Sequence, residues 1–152
     1  MARLDDIDPE DAPSLKPSAF VDEGSHSIPE PLRGYLGGRL YRLSWRTVGP
    51  GVRQFEVVPR TQGVATRLLR IASNTAIPHH GHRGNEHTLV LTGSYADEGG
   101  RYARGDVEIA DQDFTHRPVS GPDEDCVCLV VTDAPLRFSG LLGRLMQPFV
   151  RF

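Results

Sequence analysis

The stretch His80-Gly81-His82-Arg83-Gly84-Asn85-Glu86 decides the reading of this chain, and His116 answers it from thirty residues further on. Two imidazoles and a carboxylate fall within seven residues. On an extended strand, residues i and i+2 share a face, so His80 and His82 project together. Glu86 returns to that face after a short bend containing glycine. A histidine from a distant strand completes three nitrogens and one oxygen. That donor set suits a borderline divalent cation such as zinc, iron, manganese or nickel. His79 and His87 have the opposite parity and face away, and a set built on His79 would break the i, i+2 geometry. His26 lies far upstream and is unrelated. The bland alternative is that six histidines cluster by chance. Scattered surface histidines, however, would not share strand parity with a carboxylate.

A chain of 152 residues fits one domain with a sizeable core. Its 16 glycines and 12 prolines suit many short strands joined by turns rather than a helical bundle. The net charge of −3 offers no polybasic field for nucleic acid or an anionic membrane. The charge is uneven. Residues 1–30 hold eight acids against Arg3 and Lys16, and the remainder holds 12 acids against 15 arginines. No apolar run approaches the roughly 20 residues of a spanning helix, and no signal peptide is visible. Cys126 and Cys128 are too few and too close for a disulfide framework, which leaves a reducing cytoplasm as the expected compartment.

Residues 1–27 read as an acidic linker or tail, because they hold Pro9, Pro13 and Pro17 with few apolar residues. A domain over residues 28–152 follows. The segment 31–38 predicts one helical turn ended by Gly37 and Gly38. Strands are expected over 53–58, 65–72, 88–91, 101–109, 126–132 and 136–138, with a bend at Thr92-Gly93-Ser94. The strand 126–132 is nearly all apolar, as expected of one buried on both faces. Residues 141–146 have the spacing of a short helix, and 149–152 can form a terminal strand. The pattern points to an all-β fold, a small antiparallel barrel or jelly roll with short helical turns.

The spacing His80-x-His82-xxx-Glu86-xxxxxx-Gly93 resembles the first motif of the cupin superfamily in all four fixed positions from the first histidine onward. The glycine expected upstream is Asn74. In the second motif, Gly105-Asp106 opens the pattern and His116 stands where its histidine belongs, while Asp111, Asp113 and Ser120 replace the usual Pro, Gly and Asn. A narrower resemblance covers roughly residues 29–152. The strings Pro31-Leu32-Arg33-Gly34-Tyr35-Leu36-Gly37-Gly38, Trp45-Arg46-Thr47-Val48-Gly49-Pro50-Gly51-Val52-Arg53-Gln54 and Gly105-Asp106-Val107-Glu108-Ile109-Ala110-Asp111-Gln112 are similar to the C-terminal cupin domain of ChrR-type anti-sigma factors. So are the run from Asp125 to Phe138 and the ending Arg144-Leu145-Met146-Gln147-Pro148-Phe149. The resemblance implies a cupin double-stranded β-helix in the cytoplasm, with Zn2+ on His80, His82, Glu86 and His116. It also implies restraint of an extracytoplasmic-function (ECF) sigma factor, released under singlet-oxygen or peroxide stress. In such proteins an N-terminal helical zinc domain with a His-xxx-Cys-xx-Cys signature clamps the sigma factor. That signature is missing here, so sigma-factor binding is expected through an N-terminal domain absent from this chain.

Two functions follow from the same ligands. Around tetrahedral zinc, four protein ligands leave no open position, which favours a sensor with no catalytic residues. Around iron, manganese or nickel they leave two octahedral positions, which would serve a dioxygenase or isomerase. No separate acid–base pair stands out, although Arg83, Tyr95 and Tyr102 are candidates to enter a pocket. Cys126 and Cys128 share a strand face. They are expected to pack in the core, the alternative being a thiol near the metal that is oxidised or swaps as a ligand. Trp45, Met146 and the Phe149–Phe152 pair read as packing residues.

Overall fold

The structure, a computed structural model, describes residues 28–37, 40, 43–61 and 63–138. The expected tail over 1–27, the helix at 141–146, the strand at 149–152, His26 and Gly38 lie outside the described residues. Helix α1 spans Glu30–Leu36, with Pro31 in its first turn and Gly37 as its left-handed cap. Among the described residues no helix is long and apolar enough to cross a membrane.

Strands β1 (Arg46–Gly49), β2 (Val52–Thr61), β3 (Val64–Ile71), β5 (Glu86–Thr92), β8 (Val107–Ala110) and β11 (Cys126–Thr132) form a six-stranded antiparallel sheet in the order β1-β2-β3-β11-β5-β8. β6 (Ser94–Asp97), β7 (Gly100–Ala103) and β10 (Val119–Ser120) form a second sheet, ordered β10-β6-β7. β4 (His80–Gly81), β9 (Thr115–His116) and β12 (Arg137–Phe138) form a third, ordered β12-β4-β9. The chain is an antiparallel jelly roll of the cupin type, as its sequence predicts.

The strand expected over 101–109 is two strands. Asp106 accepts the Ala103 N–H on Oδ2, and Gly105 N–H donates to Val90 O, so the chain turns there instead of running straight. Asn74, at the glycine position of the motif, takes a φ of +53, a left-handed conformation that asparagine tolerates. The replacements in the second motif are also accommodated. Asp111 Oδ1 accepts the N–H groups of Asp113 and Phe114, and Ser120 Oγ accepts the Thr75 N–H.

Strand β11 lies between β3 and β5 and is buried on both faces, as its apolar run predicts. Inward, Cys126, Cys128 and Val130 join Val48, Val52, Ile71, Val90 and Tyr95. Outward, Val127 joins Leu68, Leu91 and the Ile28, Leu32 and Leu36 side chains of the α1 segment. Trp45 packs against this outer cluster, edge-on to Phe55, with Nε1 donating to Leu40 O. Burying each leucine contributes about 1.5–3 kcal/mol.

Gly93 ends the first motif for a local reason. Its φ is +67, and a Cβ there would sit 2.8 Å from Asp125 O and 3.0 Å from the Cys126 Cα. The β5–β6 bend therefore crosses directly over the start of the central strand. Gly93→Ala should cost more than about 2 kcal/mol, because the strain and the backbone clash add. Urea denaturation checks this, and a loss below about 0.5 kcal/mol, the range of neutral surface changes, would refute the account.

Candidate metal centre

The four side chains expected as ligands arrive from three places in the chain and meet in the interior. β4 and β9 pair with His80 opposite His116, so two imidazoles stand side by side across one ladder. His82 follows β4. The next residues cross to the large sheet, where Glu86 opens β5 opposite Ala110 and Thr132. Asp133 pins that crossing, accepting Asn85 N–H at 2.7 Å on Oδ1 and Asn85 Nδ2 at 3.1 Å on Oδ2. A Cβ at Gly84 would collide with the Asp133 carboxylate, so a side chain there would displace Asp133 from Asn85.

All four residues are buried, and one donor atom from each lies within 4.8 Å of the others. The His116 Nε2 is 3.0 Å from the His80 Nε2 and 3.2 Å from the His82 Nε2. Two nitrogens on one zinc at about 2.0–2.1 Å would stand about 3.3 Å apart at a tetrahedral angle and about 2.9 Å apart at a right angle. The observed spacings fall between these.

The protons make the case sharper. His80 Nδ1 lies 2.9 Å from Pro78 O, and a carbonyl only accepts, so Nδ1 carries the proton and Nε2 does not. His116 Nδ1 lies 2.7 Å from Asp97 Oδ2, which fixes the same tautomer. With both rings neutral, two lone pairs face each other at 3.0 Å. Adding a proton is opposed by burial and by the neighbouring imidazoles, which hold His80 down at about 3; burial and His116 hold His82 at about 4. A proton on His82 Nε2 could meet the His116 lone pair, but His82 Nδ1 would stay buried without a partner, since Glu86 Oε2 is 3.8 Å away. Burial pushes the Glu86 carboxyl up to about 7, against a hydrogen bond from Thr88. A cation would relieve the facing lone pairs and the buried carboxyl, so the donor set fits one.

His79 and His87 are exposed, as their parity predicts, and so is Arg83. Tyr95 lines an apolar cavity of about 60 Å³ beside His80, Glu86 and His116, and Tyr102 stacks on it at 5.0 Å. Cys128 also lines the cavity, yet both thiols belong to the inner core, with their sulfurs 3.5 Å apart.

Sequence reasoning missed a set of buried acids behind His116. Glu108 Oε2 accepts the Tyr95 hydroxyl at 2.7 Å and lies 3.7 Å from His116 Nδ1. With Asp97 and His116 it makes a second group of potential ligands. Burial and Asp97 push Glu108 up to about 7. Its only sequence signal is inverted. In Val107-Glu108-Ile109-Ala110 the two β-branched residues are 55% and 69% exposed while the glutamate is buried.

Residues 38–135 match the ChrR Cupin-like domain family. Over 123 residues the chain is 51% identical to the anti-sigma-E factor ChrR of Cereibacter sphaeroides, covering 81% of this chain and 57% of that protein. It thus spans little more than half the length of that curated relative. A crystal structure of Rhodobacter sphaeroides SigE in complex with the anti-sigma ChrR is similar at 41% identity and a TM-score of 0.67, covering 78% of this chain and 70% of that one. KdgF from a Halomonas species shares the fold alone, at 20% identity and a TM-score of 0.55, covering 64% of this chain and 94% of that one.

The depressed His80 pKa gives a signed expectation for the metal-free chain. The unfolded state takes up this proton near pH 6.5, and the folded state does not until about pH 3. The stability that neutral His80 contributes is complete above pH 6.5 and is lost as pH falls toward 3. The parent should therefore lose stability more steeply than His80→Gln between pH 7 and pH 4.5. Urea titrations on chelator-treated protein measure the difference; parallel pH profiles would show that His80 is not held neutral by the fold.

Proposed function

The chain belongs to the ChrR Cupin-like domain family, and on that premise we propose that it is a zinc-binding sensor domain of an anti-sigma factor. It acts in the cytoplasm without catalysing a reaction and modulates the release of an ECF sigma factor under singlet-oxygen or peroxide stress. His80, His82, Glu86 and His116 hold the metal. The observation that carries this reading is the buried cluster of four donors within 4.8 Å of one another, with the Nε2 atoms of His80 and His116 only 3.0 Å apart. Zinc would supply a redox-inert positive centre, with Fe2+, Mn2+ and Ni2+ as the alternatives the donors also accept. His80 and His116 are held in the required tautomer by Pro78 and Asp97, Thr88 orients Glu86, and the adjoining cavity is lined mainly by apolar side chains.

A sensor agrees with the space available. Pockets for organic ligands run to about 300–1,000 Å³, whereas the cavity beside these residues is about 60 Å³ and walled by apolar side chains. The sigma factor as partner is supported by the relative's identity as an anti-sigma factor and by the similar chain crystallised with SigE.

Metal analysis tests the centre. The purified chain should carry about one zinc per molecule. His80→Ala, His82→Ala, Glu86→Gln and His116→Ala should each lose metal and melt at lower temperature, because binding energy is partly folding energy. His79→Ala and His87→Ala should keep both. Full occupancy in His80→Ala together with loss in His79→Ala would place the site one residue out of register.

The thiols supply the test of oxidant sensing. Histidine and carboxylate ligands resist peroxide, whereas a thiolate is attacked. The thiol–thiol hydrogen bond favours the anion on Cys126 and disfavours it on Cys128. Zinc release under peroxide should be slower in a Cys126→Ser/Cys128→Ser chain than in the parent. Equal rates would make the pair plain core residues.

A further inference from the structure

We propose that Asp97 is the positioning residue of His116, and that through it the loading of the site is coupled to the order of the exposed β6–β7 turn. This inference rests on the metal reading of the four-ligand cluster. Asp97 ends β6 and divides its carboxylate between two tasks. Oδ2 accepts from His116 Nδ1 at 2.7 Å, with the two side chains only 0% and 1% exposed. Oδ1 accepts the turn amides of Gly99 at 2.8 Å and Gly100 at 3.2 Å. The neighbouring Glu98 pins the same turn to the residue after β9, its Oε2 accepting the Arg117 N–H at 2.8 Å. The turn therefore grips His116 through its ring and through the residue that follows it.

The chemistry of this grip is directional. A carboxylate accepts and cannot donate, so it keeps the proton on Nδ1, and in the neutral ring this leaves the lone pair on Nε2, which lies toward His80 and His82. Hydrogen bonds to an ionised acceptor are roughly twice as strong as neutral ones. When Nε2 gives its lone pair to a cation, Nδ1–H becomes the stronger donor, and its bond to Oδ2 tightens. Linkage then requires the reverse: whatever loosens the turn must weaken cation binding by the same factor. Residues 98–100 are exposed, so a buried change at Nε2 reaches the surface within a single side chain.

The test uses the full chain and its Asp97→Asn and Asp97→Glu variants. Asp106→Asn is the control, since Asp106 caps the next turn by accepting the Ala103 N–H. Zinc affinity is read by chelator competition, the His116 tautomer by long-range 1H–15N spectra, and turn order by amide exchange at Gly99 and Gly100 with and without zinc. Asp97→Asn should weaken zinc binding about 10- to 100-fold, the range known for residues that orient metal-binding histidines. Asp97→Glu should recover part of that loss, and Asp106→Asn should match the parent. Zinc should slow exchange at Gly99 and Gly100 in the parent and not in Asp97→Asn. An affinity within twofold of the parent for Asp97→Asn, or exchange at both glycines indifferent to zinc, would overturn the proposal. If the parent took no zinc at all, the metal reading would fall instead. The tautomer in the metal-free chain would then decide the positioning role: a proton on Nδ1 that moves in Asp97→Asn supports it, and a proton on Nε2 in the parent refutes it.

Discussion

Imidazoles packed nitrogen to nitrogen in a dry interior repel one another unless something positive lies between them. In this fold, a carbonyl holds the Nδ1 proton of His80 and a carboxylate holds that of His116, so in the neutral rings the nitrogens facing each other at 3.0 Å carry only lone pairs. Protonation would remove the conflict but is opposed by desolvation, which keeps His80 near 3. A buried polar atom left unsatisfied costs about 1–3 kcal/mol, and the site also contains His82 Nδ1 and Glu108 Oε1 in that condition. Much of the surrounding architecture can be understood as opposing this local cost. Two apolar clusters on either face of β11 supply the stabilisation, and the pinned crossing at Asn85 and Asp133 keeps the donors from separating.

The jelly roll builds the cluster from pieces of very different sequence separation. His80 and His82 are neighbours by strand geometry alone. His116 reaches them only when β9 pairs with β4, and Glu86 only when β5 joins the large sheet between β11 and β8. A cation on all four would bridge the small sheet to the large one. Its binding energy would be spent on contacts that are long-range and costly in loop entropy to close.

The legible part of the sequence was the part governed by short-range geometry. Strand parity separated His80 and His82 from His79, and the unbroken apolar run placed 126–132 at the centre of the sheet. Gly93 and Asn74 matter for backbone reasons that a motif encodes directly. The illegible part was polar and non-local. Asp97 sits in Asp97-Glu98-Gly99-Gly100, which reads as an ordinary surface turn, and only the folded chain brings its carboxylate to His116. Glu108 lies in a strand whose outer residues, Val107 and Ile109, are more apolar than its inner ones, so a hydrophobic-inside rule assigns the wrong face. Both residues answer to the electrostatics of the site and not to the packing of a core.

That distinction bears on how a buried centre can act as a sensor. Enzymes with this fold family's donors need room for a substrate, and the space beside these donors is small and lined largely by valine, leucine and isoleucine side chains. A regulatory centre has the opposite need. It requires little room, but it must have a path by which a change at the ligands alters a surface that a partner can read. Most of the elements around the four donors are unsuited to this, because close-packed apolar side chains of the inner cluster have one arrangement and resist another. The hydrogen-bonded side is different. His116, Asp97 and the turn amides form a line of directional contacts, each dependent on the protonation and orientation of the one before. The acids that the sequence concealed are therefore the elements through which this fold can turn a change at its buried donors into a change at its exterior.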